Sequence, residues 1–318
     1  MRTIVLINCY FGKFPPYMNL FLESCRKNHT IHFLIYTDCT YEEVPPNVKI
    51  VNCSFEELKR RIQSKFEFEI ALPTPYKLCD FKPAYGYIFE EDIKGYDFWG
   101  YCDIDLIFGD IRRFLTDNLL GEYDKLYQLG HLTIFRNTKE NNIIFMDASD
   151  PNYKNAFSTE TITVFDEAYG IQKKFAARNK KIYIRRDYID ISPRFYRFKL
   201  SDFFIEISPA DNNFRHQIFL YKEGHLYRYY LNNGSIEREE FMYIHFQKRD
   251  MPQDSNLGNC FFVTYRGFVK CEKEAIDQKD IMTYNKFNMV GQIITTCKYS
   301  LWKVKRKINK IRNMRSGK

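Results

Sequence analysis

Two carboxylates one residue apart, Asp103 and Asp105, follow an apolar run inside Tyr96–Asp110 (YDFWGYCDIDLIFGD). In an extended chain alternate side chains leave the same face, so the two acids point the same way. Carboxylates that close repel, and burial raises the pKa of at least one of them unless a cation sits between. A hard divalent ion with oxygen ligands, Mg2+ or Mn2+, is the natural occupant. In open α/β sheets ligands bind beyond the carboxyl ends of the strands, and an apolar run ending in Asp-x-Asp delivers its acids there. The motif is short and also arises in acidic loops; the strand before it and the residues elsewhere in the chain give it weight here.

The elements that must position these acids read as a β-α alternation. Thr3–Asn8 (TIVLIN) predicts a first, central parallel strand. Cys9–Pro16 follows as a loop, because Gly12, Pro15 and Pro16 interrupt regular structure. Tyr17–Lys27 reads as a helix, Ile31–Tyr36 as a second buried strand leading to Asp38, and Val48–Val51 as a third. Ser54 with Glu57 three residues on is the capping-box pattern and starts a helix over Phe55–Lys65. This is the rhythm of a Rossmann-like nucleotide-binding sheet, an α/β class. Further on, Pro75–Glu91 and Ile111–Leu120 read as helices, and Lys125–Arg136 as a strand pair bent at Gly130. Ser158–Phe175 turns from polar to helical with Asp166-Glu167 inside it, and Ile182–Ile191 reads as a strand. Ile218–Phe246 reads as a β-meander with turns at Glu223-Gly224 and Asn232-Asn233-Gly234 and a last strand over Phe241–Phe246. The expected organisation is an α/β domain over 1–250, an extension packed on it over 251–287, and a tail over 288–318.

Composition bounds the class. With 318 residues, 29 Phe and 24 Tyr, the chain can bury a full core and is not a disordered one. The nine cysteines are scattered, odd in number and without a Cys-x-x-Cys, which argues for a reducing compartment and against zinc or a disulfide framework. The opening residues are too polar for a signal sequence and no stretch approaches a membrane span, so the expectation is a cytoplasmic or peripheral protein. The net charge of +8 is local. Ten of the 48 basic residues lie after Asp280, where there is no Asp or Glu, leaving 38 basic against 40 acidic residues before it. Leu301, Val304, Ile308 and Ile311 recur at helical spacing among those basic residues, beside Trp302. A basic amphipathic helix with a Trp reads as an element for an anionic membrane surface, peripheral on the inner face; a solvated charged tail or a nucleic-acid patch are the other readings. No nucleic-acid motif accompanies it.

The residues resemble a known group, the Asp-x-Asp glycosyltransferases of the GT-A nucleotide-sugar fold. They look most like bacterial lipopolysaccharide and capsule glycosyltransferases and the Och1-like transferases whose sugar-binding region contains Asp-x-Asp. Asp80-Phe81-Lys82 looks like the family's Ser-Asp-x-x-Arg helix, and Tyr101–Asp105 like its Tyr-x-Asp-x-Asp. Leu129-Gly130-His131 is similar to the strand that passes beneath the donor sugar, and Tyr243-Ile244-His245-Phe246 with Lys248 to the late His-Phe segment. The likeness covers roughly residues 1–250, with Lys82 in place of an Arg and Gln247 in place of a Gly. It implies a metal-dependent hexosyltransferase that uses a UDP- or GDP-sugar and a glycan or lipid-linked acceptor, in surface polysaccharide (capsule, O-antigen or lipopolysaccharide) synthesis. By the same resemblance Asp105 and His245 would hold Mn2+ or Mg2+, Asp103 would orient the donor's ribose or share the metal, and Lys248 and Arg249 would meet phosphate oxygens. Tyr10 and Asp38 would hold the nucleoside, while Asp80, Lys82 and Gly130 would face the sugar. Asp166 or Glu167 would face the reacting carbon or the acceptor.

Each residue also has a plainer reading. A lone His among Tyr, Ile and Phe is more often a hydrogen-bonded core residue, and Asp80, Lys82, Asp166 and Glu167 could be exposed helix charges. Tyr10 could be a core aromatic and Asp38 a strand end. At the level of function, a catalytically silent membrane-tethered scaffold of the same fold stays open. So does a metal-dependent nucleotidyltransferase, though Gly12 alone makes a poor phosphate loop.

Overall fold

A computed structural model describes residues 1–201, 213–247, 249 and 251–316, with the backbone alone from 305 onward. The chain folds as two interleaved units rather than as a continuous 1–250 domain. Unit one takes in Met1–Pro15, His29–Ile104 and Leu115–Arg185; unit two takes in Pro16–Asn28, Asp105–Phe114 and Arg186–Lys318. The boundary falls inside the Asp-x-Asp motif, after Ile104.

Strands are numbered in chain order. Unit one holds β1 (Ile4–Cys9), β2 (Ile31–Thr37), β3 (Val48–Asn52), β4 (Phe98–Cys102), β6 (Lys125–Leu129), β7 (Leu132–Arg136) and β8 (Ile182–Tyr183). They form one mixed sheet in the order β3-β2-β1-β4-β7-β6-β8. β1 to β4 run parallel, β7 pairs antiparallel to β4, and β6 closes a hairpin with β7. β4 is buried along its whole length, as its unbroken apolar run requires of a strand covered on both faces. Gly100 at its centre admits a close neighbour: a Cβ there would lie 2.5 Å from the carbonyl oxygen of Thr133 on β7. The order reverses direction between β1 and β4, a switch point at whose carboxyl end ligands characteristically bind. Asn8 ties that end together, donating from Nδ2 to the Cys102 carbonyl at 2.6 Å. An aromatic core lies against the sheet, with Trp99 stacked on Phe135 at 4.5 Å and Phe81 on Phe157 at 4.3 Å.

Three expected helices in or entering this unit are shorter than their sequence suggests. Pro75–Glu91 breaks into single turns, Leu78–Phe81 and Tyr85–Ile88 flanking a 3-10 turn at Lys82–Ala84, because Pro83 lacks an N–H and crowds the preceding turn. Ile111–Leu120 divides into Ile111–Phe114 and Asp117–Glu122, the second capped by the Thr116 hydroxyl on the Leu119 N–H. In Ser158–Phe175 only Ile171–Ala177 extends a helix beyond the turn Tyr153–Ser158, so Asp166 and Glu167 lie in irregular chain. The capping box at Ser54 and Glu57 is formed and starts the helix Phe55–Gln63.

Unit two holds β5 (Leu106–Phe108), β9 (Ile189–Asp190), β10 (Gln217–Lys222), β11 (His225–Asn232), β12 (Ser235–Phe241), β13 (Tyr243–His245), β14 (Cys260–Thr264) and β15 (Gly267–Lys270). Five of them form an antiparallel sheet in the order β12-β11-β10-β14-β15. Two of its tight turns use Glu223-Gly224 and Asn233-Gly234, all four residues at positive φ, the backbone a type I′ two-residue hairpin needs. The expected last strand Phe241–Phe246 splits at Met242. Phe241 ends β12, while β13 joins a separate sheet in the order β5-β13-β9. Ile182–Ile191 splits likewise, β8 going to unit one and β9 to unit two.

Lys125 is fully buried in unit one, donating to the Tyr127 carbonyl and to Gln172 Oε1. Burial, opposed by Glu167, pulls its ammonium down to about 7 from the ordinary 10.5. Between those values the unfolded chain holds a proton that the folded chain releases, so this group makes stability rise as pH climbs from about 7. Lys125→Met is expected to stabilise the fold at pH 7 by about 1–2 kcal/mol and to flatten that rise, as urea unfolding at pH 7 and 9 will show.

Candidate functional site

In unit one the break at Pro83 leaves Lys82 beside the end of β4. Its Nζ donates to Asp103 Oδ1 at 2.6 Å and to the Gly130 carbonyl at 2.7 Å, and lies 3.7 Å from Asp166 Oδ2. Gly130 leaves the room that the Asp166 carboxylate fills. A Cβ there would lie 2.2 Å from Asp166 Oδ2 and 3.0 Å from Glu167 Oε1. Burial raises the Asp166 carboxyl well above the usual carboxylate range, against the pull of Lys82 and with the help of Glu167. For Lys82, burial works against the charge, but Asp103 and Asp166 override it and hold the ammonium well above its ordinary value. The cluster is a cation shared by two carboxylates, with Asp103 its more exposed member, and it can exchange hydrogen bonds with hydroxyl groups.

Asp80 does not face that cluster's open side. It is fully buried, and its oxygens accept from Lys77 Nζ at 2.6 Å, the Thr163 N–H at 2.9 Å and the Phe165 N–H at 2.8 Å. Lys77 in turn donates to the carbonyls of Ala156 and Thr161. This pair fastens the segment that carries Asp166, so Asp80 positions a neighbour where the sequence suggested a sugar contact. At the ends of β1 and β2, Asp38 Oδ1 accepts from the Gly12 N–H at 2.8 Å and so shapes the loop after β1. Tyr10 in that loop stacks on Phe14 at 5.5 Å and donates its hydroxyl to the Lys13 carbonyl.

In unit two the small sheet places Asp105 just before β5, His245 at the end of β13 and Asp190 at the end of β9. His245 registers opposite Leu106 on one side and Asp190 on the other. Asp190 Oδ1 lies 2.8 Å from His245 Nδ1, and Gln247 Nε2 donates to both Asp190 oxygens at 2.8 and 2.9 Å. His245 Nε2 is 3.5 Å from Asp105 Oδ1. Burial disfavours the imidazolium, but Asp105 and Asp190 together outweigh it and push the imidazole up to about 10. The pair Asp105–His245 fits a divalent ion. With metal–ligand bonds of about 2.1 Å, adjacent octahedral ligands sit ~3 Å apart and opposite ones ~4 Å, which brackets the observed gap. A carboxylate on the far nitrogen of a ligating His is the usual second partner of such a site.

Asp190 escaped the sequence reading, although an acid inside the apolar run Tyr188–Ile191 was the available signal. Arg249, expected at phosphate oxygens, is committed elsewhere. Its guanidinium donates to the carbonyls of Ser192 and Phe195, and burial lowers it to about 10. Lys248 lies outside the described residues.

A family model described as "Family of unknown function (DUF6625)" matches residues 6–272. No curated protein matches by sequence. Among solved structures the chain is similar to the galactosyltransferase LgtC in complex with donor and acceptor sugar analogs, with 13% identity, a TM-score of 0.36, and coverage of 59% of this chain and 75% of that one. It is also similar to an active-site mutant of LgtC, with 11% identity, a TM-score of 0.41, and coverage of 77% and 88%.

Removing one partner of a buried ion pair leaves the other charge uncompensated. Asp80→Ala is therefore expected to destabilise the chain by about 3–5 kcal/mol, measured by chemical unfolding. Asp38→Ala, at an exposed loop, is expected to cost under about 1 kcal/mol in the same assay.

Proposed function

The chain belongs to the DUF6625 family of unknown function, and from that premise we propose that it is a metal-dependent glycosyltransferase acting on a nucleotide-sugar, UDP- or GDP-linked. The observation that carries this reading is the line Asp190–His245–Asp105, with Nδ1 engaged by one carboxylate and Nε2 directed at the other. Asp190 fixes the ring, Gln247 fixes Asp190, and Nε2 is thereby offered as a ligand atom. Asp105 and His245 would hold Mn2+ or Mg2+, whose chemistry there is Lewis-acid stabilisation of the charge that develops on a departing diphosphate.

In this reading Lys82 and Asp103 meet the donor sugar's hydroxyls, one as donor and one as acceptor. Asp166, kept close to Lys82 and raised by burial, faces the reacting carbon or the acceptor, with Glu167 beside it. A carboxyl raised by burial is suited to holding a proton at that point. Tyr10 and the loop that Asp38 shapes would receive the nucleoside. The acceptor class is a glycan or lipid-linked sugar, and the setting bacterial surface polysaccharide synthesis, on the strength of the motif resemblance.

Calorimetric titration with UDP and with GDP is expected to show binding in Mn2+ that EDTA abolishes; equal affinity in both buffers would remove the metal from the proposal. Asp105→Ala is expected to lose that nucleotide binding. Asp190→Asn should weaken Mn2+ affinity by about 10–100-fold, read directly by calorimetry with the metal alone. Lys82→Ala should lower kcat by about a hundredfold with nucleotide affinity little changed, because sugar contacts act mostly in the transition state. The reverse pattern would assign Lys82 to the nucleotide.

A further inference from the structure

The helix Met289–Ser316 in unit two is attached by its polar side. Gly291 is buried, and a Cβ on it would lie 2.6 Å from the Tyr196 ring. Gln292 accepts from the Tyr196 N–H at 3.1 Å and donates to the Arg194 carbonyl at 3.0 Å, and Arg194 Nε donates to the Tyr299 hydroxyl at 3.3 Å. The apolar residues lie elsewhere. Val290, Ile293, Ile294, Leu301 and Val304 are all more than half exposed. At 100° per residue these five fall within one stripe about 100° wide, and Gln292 and Tyr299 fall on the opposite side. Ile308 and Ile311 continue the stripe in the sequence. A surface helix ordinarily turns its apolar stripe inward; this one is inverted.

We infer that the outward stripe of Met289–Ser316 is a docking face for a bilayer containing anionic phospholipid. The charge selects this occupant. Ten Lys and Arg and no Asp or Glu follow Asp280, so a second copy pairing stripe to stripe would bring two strongly positive helices together. The rest of the chain carries 38 basic and 40 acidic residues, so the excess positive charge belongs to this tail. A nucleic acid supplies anions but no apolar depth for the stripe. An anionic bilayer supplies both. No helix among the described residues is long and apolar enough to cross a membrane, so the contact is peripheral.

The test is co-flotation of the full chain with phosphatidylcholine vesicles, with and without phosphatidylglycerol. The chain should float with the anionic vesicles only. Raising salt from about 0.1 to about 1 M, which shortens screening from ~10 to ~3 Å, should release at least about nine-tenths of it. Ile294→Asp combined with Leu301→Asp should lower binding at least about tenfold, because a charge on the buried face opposes insertion. Both residues are exposed, so the variant's thermal transition should match the parent's. Undiminished flotation of the double variant, equal flotation with neutral vesicles, or a lipid-free dimer that the double variant abolishes would each overturn the inference. Because the readout is lipid binding, it stands or falls apart from sugar transfer.

Discussion

The ammonium of Lys82 is the constraint on which the polar end of unit one depends. A charge set among buried side chains is tolerable only with opposite charge and hydrogen-bond acceptors around it. Asp103, the Gly130 carbonyl and Asp166 supply these. Each neighbour is there for an identifiable reason. Pro83 ends the turn so that Lys82 stands at the end of β4, Gly130 leaves the volume that Asp166 occupies, and the Lys77–Asp80 pair fastens the segment bearing Asp166. Buried ion pairs are weak evidence for stability, since their desolvation offsets much of their attraction. Two of them in one corner of the sheet are better explained by the fixed placement they give Asp103 and Asp166.

Unit two meets the same requirement in the opposite sense. There two carboxylates, Asp105 and Asp190, flank one imidazole, so the group between them is driven to carry positive charge, as a proton or as a coordinated cation. Strand register enforces this. β13 brings His245 level with Leu106 and Asp190, and Gln247 keeps the Asp190 carboxylate oriented. The side chains can be arranged so closely because they sit at the ends of paired strands, whose backbones leave little freedom in direction.

Local pattern carried much of this into view, and it failed where pairing decides. The β-branched runs at Thr3–Asn8 and Ile31–Tyr36, the Ser54–Glu57 cap and the Asn-Gly turn each encode their own geometry, and all appear close to where the residues place them. Asp80 illustrates the opposite. Nothing adjacent in sequence reveals that its oxygens are taken by the N–H groups of Thr163 and Phe165, more than eighty residues away. Asp190 belongs to a two-residue strand, too short for alternation to show, and is defined only by its register with β13. Arg249 looked available because it follows a His in a late segment, yet two loop carbonyls claim it. Length misled as well. The helices over Pro75–Glu91 and Ser158–Phe175 were extended across Pro83 and Gly170, where a missing N–H and a flexible backbone permit other paths.

Periodicity tells a reader that a helix has two faces, and packing alone tells which one is turned inward. For Met289–Ser316 the apolar period was plain in the sequence, and the ordinary inference is that such a stripe covers the core. The contacts run the other way, through Gln292, Tyr299 and a glycine pressed against Tyr196. Isolated helices gain little stability from propensity alone, so these contacts matter to a helix of 28 residues. From Val290 to Val304 the segment turns its apolar side chains away from the contacts that hold it. The two units do the reverse, turning their large rings and the ammonium groups of Lys77 and Lys125 inward.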